Sequence, residues 1–478
     1  PAALSRPGPQ AVSVPDYESS VRVVSLGASQ PFSRVVDIAA QGPFAVSGAA
    51  PELAYALVES LQAQGAQAGI LGEASDDFRT VILTEGLSCL PVTERHWQAL
   101  NLCRQFHDRG VRIIMLEPSS EAAADQLCGL SGLSRTLRQE WPNHDVVTWS
   151  LPAGERVTGW AELVTTALGT DLSDAVLTRQ GAAIQAIHQA PRLSRAVVEA
   201  SNVWFVPGGA RGVTAACVKE LARRQSGSVF VLAGRSDIVP WPEGMDVTSD
   251  MKQLRGALIS VARASGQTPS LPDVDRQAKA LLAGQEIRET LDDISMSGAQ
   301  AVYLRTDMSD RASIQSAIAK VSQQYGSITG LVHGAGVLSD GLALKKSRED
   351  VAYVFGPKVE GLAMLLEAID LSQLRYVGLF SSASAVFGNV GQSDYAMANA
   401  WLGAMARKLS ADLPDAIVKS FCWGPWAGGM VDSSLAGHFA SRGISLIGLE
   451  DGARIFADQI LQGERSEVEL LIGDEWAG

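Results

Sequence analysis

The chain has 478 residues, 46% of them hydrophobic, which is long and apolar enough for two domains or one of double size. Its formal net charge of -13 and pI near 5.0 weigh against a nucleic-acid partner, because phosphate binding needs basic surface. No apolar run reaches the roughly 20 residues that a spanning helix requires, so no membrane partner is expected. The five cysteines, Cys89, Cys103, Cys128, Cys217 and Cys422, form no C-x-x-C pair. With no secretory signal beside them they read as buried packing residues in a reducing, cytoplasmic setting.

In chain order, the opening Pro1-Ala2-Ala3-Leu4 leads into a Pro/Ser-rich passage to about Tyr17, and residues 1–20 read as a linker. Residues 21–195 then alternate strand-like and helix-like runs. The strands expected there are Phe44 to Ser47, Ala68 to Leu71, Val81 to Thr84, Val111 to Leu116 and Val146 to Ser150; Leu53 to Gln64 and Trp97 to Asp108 read as helices between them. A polar, turn-like passage at Ala190-Pro191-Arg192-Leu193 marks the join. Residues 196–478 repeat the alternation, with strands expected at Val203 to Val206, Val229 to Ala233, Val302 to Leu304, Leu331 to Gly334, Tyr376 to Ser382, Ile417 to Trp423 and Val468 to Ile472. The pattern predicts an α/β fold of two Rossmann-like, doubly wound parallel sheets. Between Ser236 and Ala301 the connection is unusually long. It holds Pro240-Trp241-Pro242 and helical stretches near Met251 to Ala264 and Arg276 to Ser295, and reads as a helical insertion over about 237–300.

Chemistry concentrates in the second half. After its first strand comes Pro207-Gly208-Gly209-Ala210-Arg211-Gly212-Val213-Thr214, then a helix. Glycines in such a turn let the backbone approach a pyrophosphate, which sits on the positive end of the helix, although Gly-rich turns also join strands to helices without any ligand. The contacts expected from it are Gly208, Gly209, Ala210, Arg211, Gly212 and Val213. The next strand ends Ala233-Gly234-Arg235-Ser236, where Gly234, Arg235 and Ser236 would meet the adenosine ribose. An acid there would select NAD, whereas Arg235 favours the 2'-phosphate of NADPH; the bland alternative is a solvated arginine. Asp307 with Met308 is suited to the adenine edge. His333-Gly334-Ala335-Gly336 forms a tight turn past which a cofactor can run, His333 itself reading better as a packed core histidine. Tyr395 precedes Asn399 by one helical turn, Ser381-Ser382 lies upstream and Lys358 can supply positive charge that lowers the tyrosine pKa. A lone tyrosine mostly packs; this combination is what points to proton transfer.

These motifs resemble the ketoreductase domains of modular or iterative polyketide synthases, within the short-chain dehydrogenase/reductase superfamily, from about Val203 to Gly473. The first half resembles the truncated, cofactor-free structural subdomain of those ketoreductases, through Leu130-Ser131-Gly132-Leu133-Ser134-Arg135 and Glu140-Trp141-Pro142. Its Ser47-Gly48-Ala49-Ala50-Pro51-Glu52 lacks the glycine spacing of a phosphate loop, so no cofactor is expected there. The resemblance implies that Tyr395, Ser382, Lys358 and Asn399 are catalytic, with lysine and asparagine in the exchanged order typical of ketoreductases. It implies that Pro425 and Trp426, in Trp423-Gly424-Pro425-Trp426, position the nicotinamide. Residues 427–446, Met430 among them, would form a substrate lid.

The implied reaction is NADPH-dependent reduction of a 3-oxoacyl thioester held on an acyl carrier protein, beside the other domains of a parent synthase. Pro207 and Thr214 depart from the usual glycine motif and bear on cofactor affinity. The form of that motif, with Gln285-Glu286-Ile287-Arg288 ending the insertion, looks most like ketoreductases of polyunsaturated fatty-acid synthases. Leu338-Ser339-Asp340 resembles the Leu-Asp-Asp fingerprint of D-alcohol formers, and Phe387 stands where the opposite class carries tryptophan. Ser381, Asp340, Phe387 and Met430 are therefore the expected substrate and stereocontrol residues, with a D (3R) product. A catalytically degenerate scaffold and a free-standing dehydrogenase of small ketones are the rival readings.

Overall fold

The computed structural model describes residues 21–33, 36–73, 77–191, 193, 201–266, 268–428 and 444–473. Two sheets organise them. In the first half the strands are β1 (Val21–Leu26), β2 (Phe44–Val46), β3 (Ala68–Ile70), β4 (Thr80–Leu83), β5 (Arg112–Pro118), β6 (Val146–Leu151), β7 (Ala175–Thr178), β8 (Gly181–Ala183) and β9 (Gln185–Gln189). In the second they are β10 (Val203–Pro207), β11 (Val229–Gly234), β12 (Gln300–Arg305), β13 (Gly330–His333), β14 (Tyr376–Ser382), β15 (Ile417–Trp423) and β16 (Glu469–Ile472).

The helices of eight residues or more are α1 (Pro51–Ala63), α2 (Val92–Gln105), α3 (Leu130–Glu140), α4 (Val157–Leu168), α5 (Gly212–Arg224) and α6 (Met251–Ala264). They continue with α7 (Leu271–Met296), α8 (Arg311–Tyr325), α9 (Arg348–Phe355), α10 (Gly361–Ala368), α11 (Ser393–Asp412) and α12 (Leu449–Gln462).

The smaller sheet has the order β3-β2-β4-β5-β6-β7-β8, parallel through β7, with β8 returning antiparallel. The larger sheet runs β12-β11-β10-β13-β14-β15-β16-β1-β9 and is parallel from β12 to β16. Strands covered by helices on both faces must be apolar throughout, and Phe205, Val206, Val231, Leu331, Val332, Val377 and Leu379 are all fully buried. Side-chain caps start the helices between them: Asp310 accepts from Ala312 and Ser313, Asp250 from Lys252 and Gln253, and Ser347 with Asp350 makes a reciprocal capping box on α9.

The expected parallel strands lie within two residues of those observed. The larger sheet nevertheless has nine strands rather than seven. The two extra ones, β1 and β9, come from the first half of the sequence and pair antiparallel, Val21 with Ile472 on one side and Val23 with His188 on the other. A division at about residue 195 thus differs from the division of strands between sheets. Short, half-polar strands such as Gln185–Gln189 carry little periodicity, and their partners lie far away in sequence. Cys103, Cys128, Cys217 and Cys422 are buried, but Cys89 is exposed, a correction to its reading as a packing residue. Among the described residues no helix is long and apolar enough to cross a membrane.

The two sheets meet where α3 lies on α11. A side chain could not be added at this contact: a Cβ on Gly129 would come within 2.2 Å of Met397 O, and one on Gly132 within 2.3 Å of Ala396 O. Around the helix pair, Glu140 accepts from the backbone N–H groups of Ala343 (2.8 Å) and Gly391 (2.9 Å), and Gln139 donates to Phe387 O at 2.7 Å. Gly132→Ala is therefore expected to destabilise the protein by about 1–3 kcal/mol, the usual cost of overpacking. Denaturant unfolding measures it, and an unchanged midpoint would show that the helices can part without loss.

Candidate active site

The order of the larger sheet reverses between β10 and β13, and a cleft of about 700 Å³ opens there at the carboxyl ends of the strands. One end is floored by the turn after β10. Gly208 has φ +77°, and a Cβ there would meet the backbone of Gly334 and Ala335 at 2.7 Å, so two turns touch with no side chain between them. Gly208, Ala210, Arg211, Gly212, Val213, Gly234, Arg235, Ser236, Met308, Gly334, Ala335, Gly336, Pro425 and Trp426 all line the cleft. This cradle of close backbone, the amino end of α5 and an exposed Arg235 fits an extended, phosphorylated dinucleotide. Pro207 closes β10, its carbonyl accepting from Gly334 N–H at 2.9 Å, and the Thr214 side chain fills the space that Gly334 leaves.

Three expected cofactor residues sit elsewhere. Gly209 faces inward, where a Cβ would meet the Val206 side chain at 2.2 Å. Asp307 lies beside the cleft between two residues that line it, Thr306 and Met308, with Oδ1 accepting from Ser309 N–H at 2.9 Å. His333 is fully buried behind the turn, with Nε2 at 3.0 Å from Lys358 O, and burial holds its pKa down to about 3. Its neutral ring bonding a carbonyl agrees with a packing role.

The four residues on which the resemblance rests converge at the far end of the cleft. Lys358 comes from a π-helical turn, Gly356–Glu360, between α9 and α10; such turns redirect a side chain that a regular helix would aim elsewhere. Its Nζ donates to Asn399 Oδ1 (3.0 Å) and Phe380 O (2.9 Å) and stands 5.3 Å from the Tyr395 ring centroid. Asn399 donates to Tyr395 O at 2.8 Å, one turn back on α11. Ser382, at the end of β14, accepts from Ser384 N–H at 3.2 Å and lines the cleft with Tyr395 and Lys358. Asn399 itself is fully buried behind them.

The expectation that Lys358 lowers the tyrosine pKa is corrected: the lysine is not among the groups that shift the phenol, whose pKa is raised. Burial dominates and pushes the Tyr395 phenol up, with the Asn399 and Ser382 side chains pulling it partly back. Burial also holds Lys358 down, to about 7. The cluster is thus poised at the lysine rather than at the phenol.

Of the expected substrate residues, Asp340 lines the cleft, its Oδ1 accepting from Gln392 at 3.0 Å. Ser381 lines the cleft as well, and its hydroxyl donates to Asn399 O at 3.1 Å, tying strand to helix. Phe387 is absent from the cleft lining and packs with Val24, Val386, Cys422 and Leu471 on another side of the sheet. Met430 and most of the expected lid fall outside the described residues.

Sequence reasoning missed Lys346, whose ammonium forms a fully buried ion pair with Asp394 at 2.8 Å and also reaches Ser339 O, so that it ties the 338–340 turn to the residue before Tyr395. Its partner lies 48 positions away in sequence, so no local pattern signals the pair. Tyr303 and Glu286 also line the cleft. In the smaller sheet the corresponding helix start is filled from within: Ala50 N–H donates to Thr84 Oγ1 at 3.0 Å, and Ser47 donates to the buried Glu85 at 2.9 Å.

The KR domain family matches residues 202–428. A polyunsaturated fatty acid synthase chain from Thraustochytrium sp. is 31% identical over 379 residues, covering 74% of this chain and 13% of that protein. Polyketide synthase PksL from Bacillus subtilis is 29% identical over 254 residues, covering 52% of this chain and 5% of that protein. This chain thus spans a small part of the length of either relative. Among solved structures, the ketoreductase from the first module of phoslactomycin biosynthesis in Streptomyces sp. HK803 superposes with TM-score 0.71 at 19% identity, covering 96% of this chain and 94% of that one. A ketoreductase domain from the bacillaene assembly line gives 0.65 at 19%, covering 95% and 97%. At that identity the superpositions speak for the fold.

The Lys358 side chain is expected to titrate near pH 7 in the folded protein, against 10.5 for a free lysine. An NMR titration of ε-labelled lysine, assigned with Lys358→Met, measures this, and a midpoint near that of free lysine would refute it. The unfolded chain then binds more protons between the two values, so this group's penalty on stability is full below about 7 and is relieved as pH rises from there to 10.5.

Proposed function

The chain belongs to the KR domain family of ketoreductases, within the short-chain dehydrogenase/reductase superfamily, and on that premise we propose that it reduces a 3-oxoacyl thioester to the 3-hydroxyacyl thioester with NADPH. The observation that carries this reading is the convergence of Tyr395, Ser382, Lys358 and Asn399 at one end of a cleft whose other end is a glycine cradle beside Arg235. NADPH, once bound, supplies hydride to the carbonyl carbon. Gly208, Gly212 and their neighbours would hold its diphosphate, and Arg235 with Ser236 its 2'-phosphate. Trp426, packed on Trp423 with ring centroids 4.7 Å apart, would wall the nicotinamide end with Pro425.

The protein's own share is proton chemistry. Tyr395 and Ser382 would donate hydrogen bonds to the ketone oxygen, stabilising the negative charge that develops there. The phenol then gives its proton to that oxygen. A phenol kept protonated by burial suits a donor, and Lys358, titrating near 7, can pass a proton toward it while Asn399 fixes the lysine's position.

The substrate is proposed to arrive on the phosphopantetheine arm of an acyl carrier protein within a larger synthase, of the polyketide or polyunsaturated fatty-acid kind. A D (3R) alcohol is the proposed product, on the place of Asp340 at the cleft. Intact Tyr395, Ser382, Lys358 and Asn399 tell against a degenerate scaffold. The large first half, locked to α11, tells against a free-standing dehydrogenase.

Loss of NADPH absorbance with a short 3-oxoacyl thioester tests the reading. Tyr395→Phe is expected to lower turnover by about 10³-fold or more while NADPH affinity stays within about twofold, since it removes the proton donor and leaves the cradle. Undiminished turnover would refute the assignment. Arg235→Ala is expected to weaken NADPH by about tenfold or more and NADH hardly at all, because it removes a charge-assisted contact to one phosphate. Equal losses for the two cofactors, read by binding titration, would remove Arg235 from that role.

A further inference from the structure

The insertion between β11 and β12 reaches into the cleft at the point that matters most to an anion. Glu286, on α7, places Oε1 2.7 Å from the backbone nitrogen of Gly212, the first residue of α5, and Oε2 2.9 Å from Arg211 Nε. These are the N–H and the guanidinium that a cofactor diphosphate at this helix end would need, and a carboxylate already holds both. Two anions cannot share one backbone donor, and at such a distance each raises the other's energy.

The carboxylate is delivered by a firmly seated helix. Ile287, the next residue, is fully buried, and with Ile294 it belongs to the same apolar cluster as Cys217 and Leu221 of α5. Lys219 of α5 bonds Asp293 of α7 at 3.1 Å. The Glu286 side chain, by contrast, is 43% exposed and its Arg211 partner 48%. A change of rotamer therefore releases Glu286 to solvent without unpacking α7.

We propose that Glu286 is a displaceable competitor for the cofactor diphosphate, and that through it the inserted helix acts as a gate on NADPH binding. This rests on the NADPH reading above. Glu286 then neutralises Arg211 and caps α5 when the cleft is empty, and NADPH affinity is lower than the cradle alone would give.

The test is a fluorescence titration of NADPH into the native chain, Glu286→Gln and Glu286→Ala, with melting temperatures to confirm folding, and with adenosine 2'-monophosphate, which lacks the diphosphate, as a second probe. Glu286→Ala is expected to bind NADPH about tenfold more tightly and Glu286→Gln to lie between it and the native chain, as an exchange of charge-assisted bonds implies. The monophosphate is expected to bind all three within about twofold. NADPH binding that is unchanged or weaker in Glu286→Ala, or an equal gain for the monophosphate, overturns the gate while leaving the cofactor reading standing. No NADPH binding by any of the three overturns the cofactor reading and the gate together.

Discussion

The close approach of α3 to α11 is the constraint on which the rest depends. Tyr395 and Asn399 lie on α11, and the first half packs against that helix from the side of α3. Gly129 and Gly132 allow backbone of the first half to press directly on Ala396 and Met397, the residues immediately after the tyrosine. Close packing of this kind transmits position with little slack. Glu140, Gln139 and Arg135 then bind the backbone of residues 343, 391, 387 and 385, so the turns that frame the cleft are held by the same helix. A sheet whose helix start is filled by its own Thr84 and Glu85 still serves the site, as an abutment.

Buried charge is the second organising feature. Lys358, Lys346 and Asp394 are nearly inaccessible to solvent. Lys346 and Asp394 satisfy one another, whereas among the described residues Lys358 donates to neutral acceptors, a carbonyl and an amide oxygen. An ammonium with no anionic partner in a dry place gives up its proton readily, which is why burial alone brings Lys358 to about 7. The paired lysine fixes the loop before α9; the unpaired one is free to exchange a proton. Two lysines twelve residues apart thus acquire opposite characters from their neighbours alone.

At the other end of the cleft the logic is anionic. The amino end of α5 carries partial positive charge, and the insertion brings Glu286 to it. The cleft therefore joins a proton-exchanging lysine to a helix end already engaged by an acid. Between them Tyr303 and Met308 give the wall its apolar body.

Much was legible along the chain because it is local. Continuous apolar runs predicted the parallel strands to within two residues, and the Gly208 to Thr214 turn, Arg235 and the Tyr395/Asn399 spacing needed only strand, turn and helix to be placed. What the sequence did not determine is non-local. Phe387 sits one short helix from Ser382 yet turns toward Val24, because packing against distant strands chooses the direction of a side chain. The pairing of β1 and β9 with a sheet built mostly from residues beyond 200 depends on register between segments remote in sequence. The depressed pKa of Lys358 is a property of burial, which composition does not express. Likewise the meeting of Glu286 with Gly212 joins residues 74 positions apart, and only the packing of α7 on α5 brings them within a hydrogen bond. Identity and spacing of the reactive groups belong to the sequence; their protonation, direction and rivals are set by the tertiary structure, because each depends on the distance to groups the chain places far away.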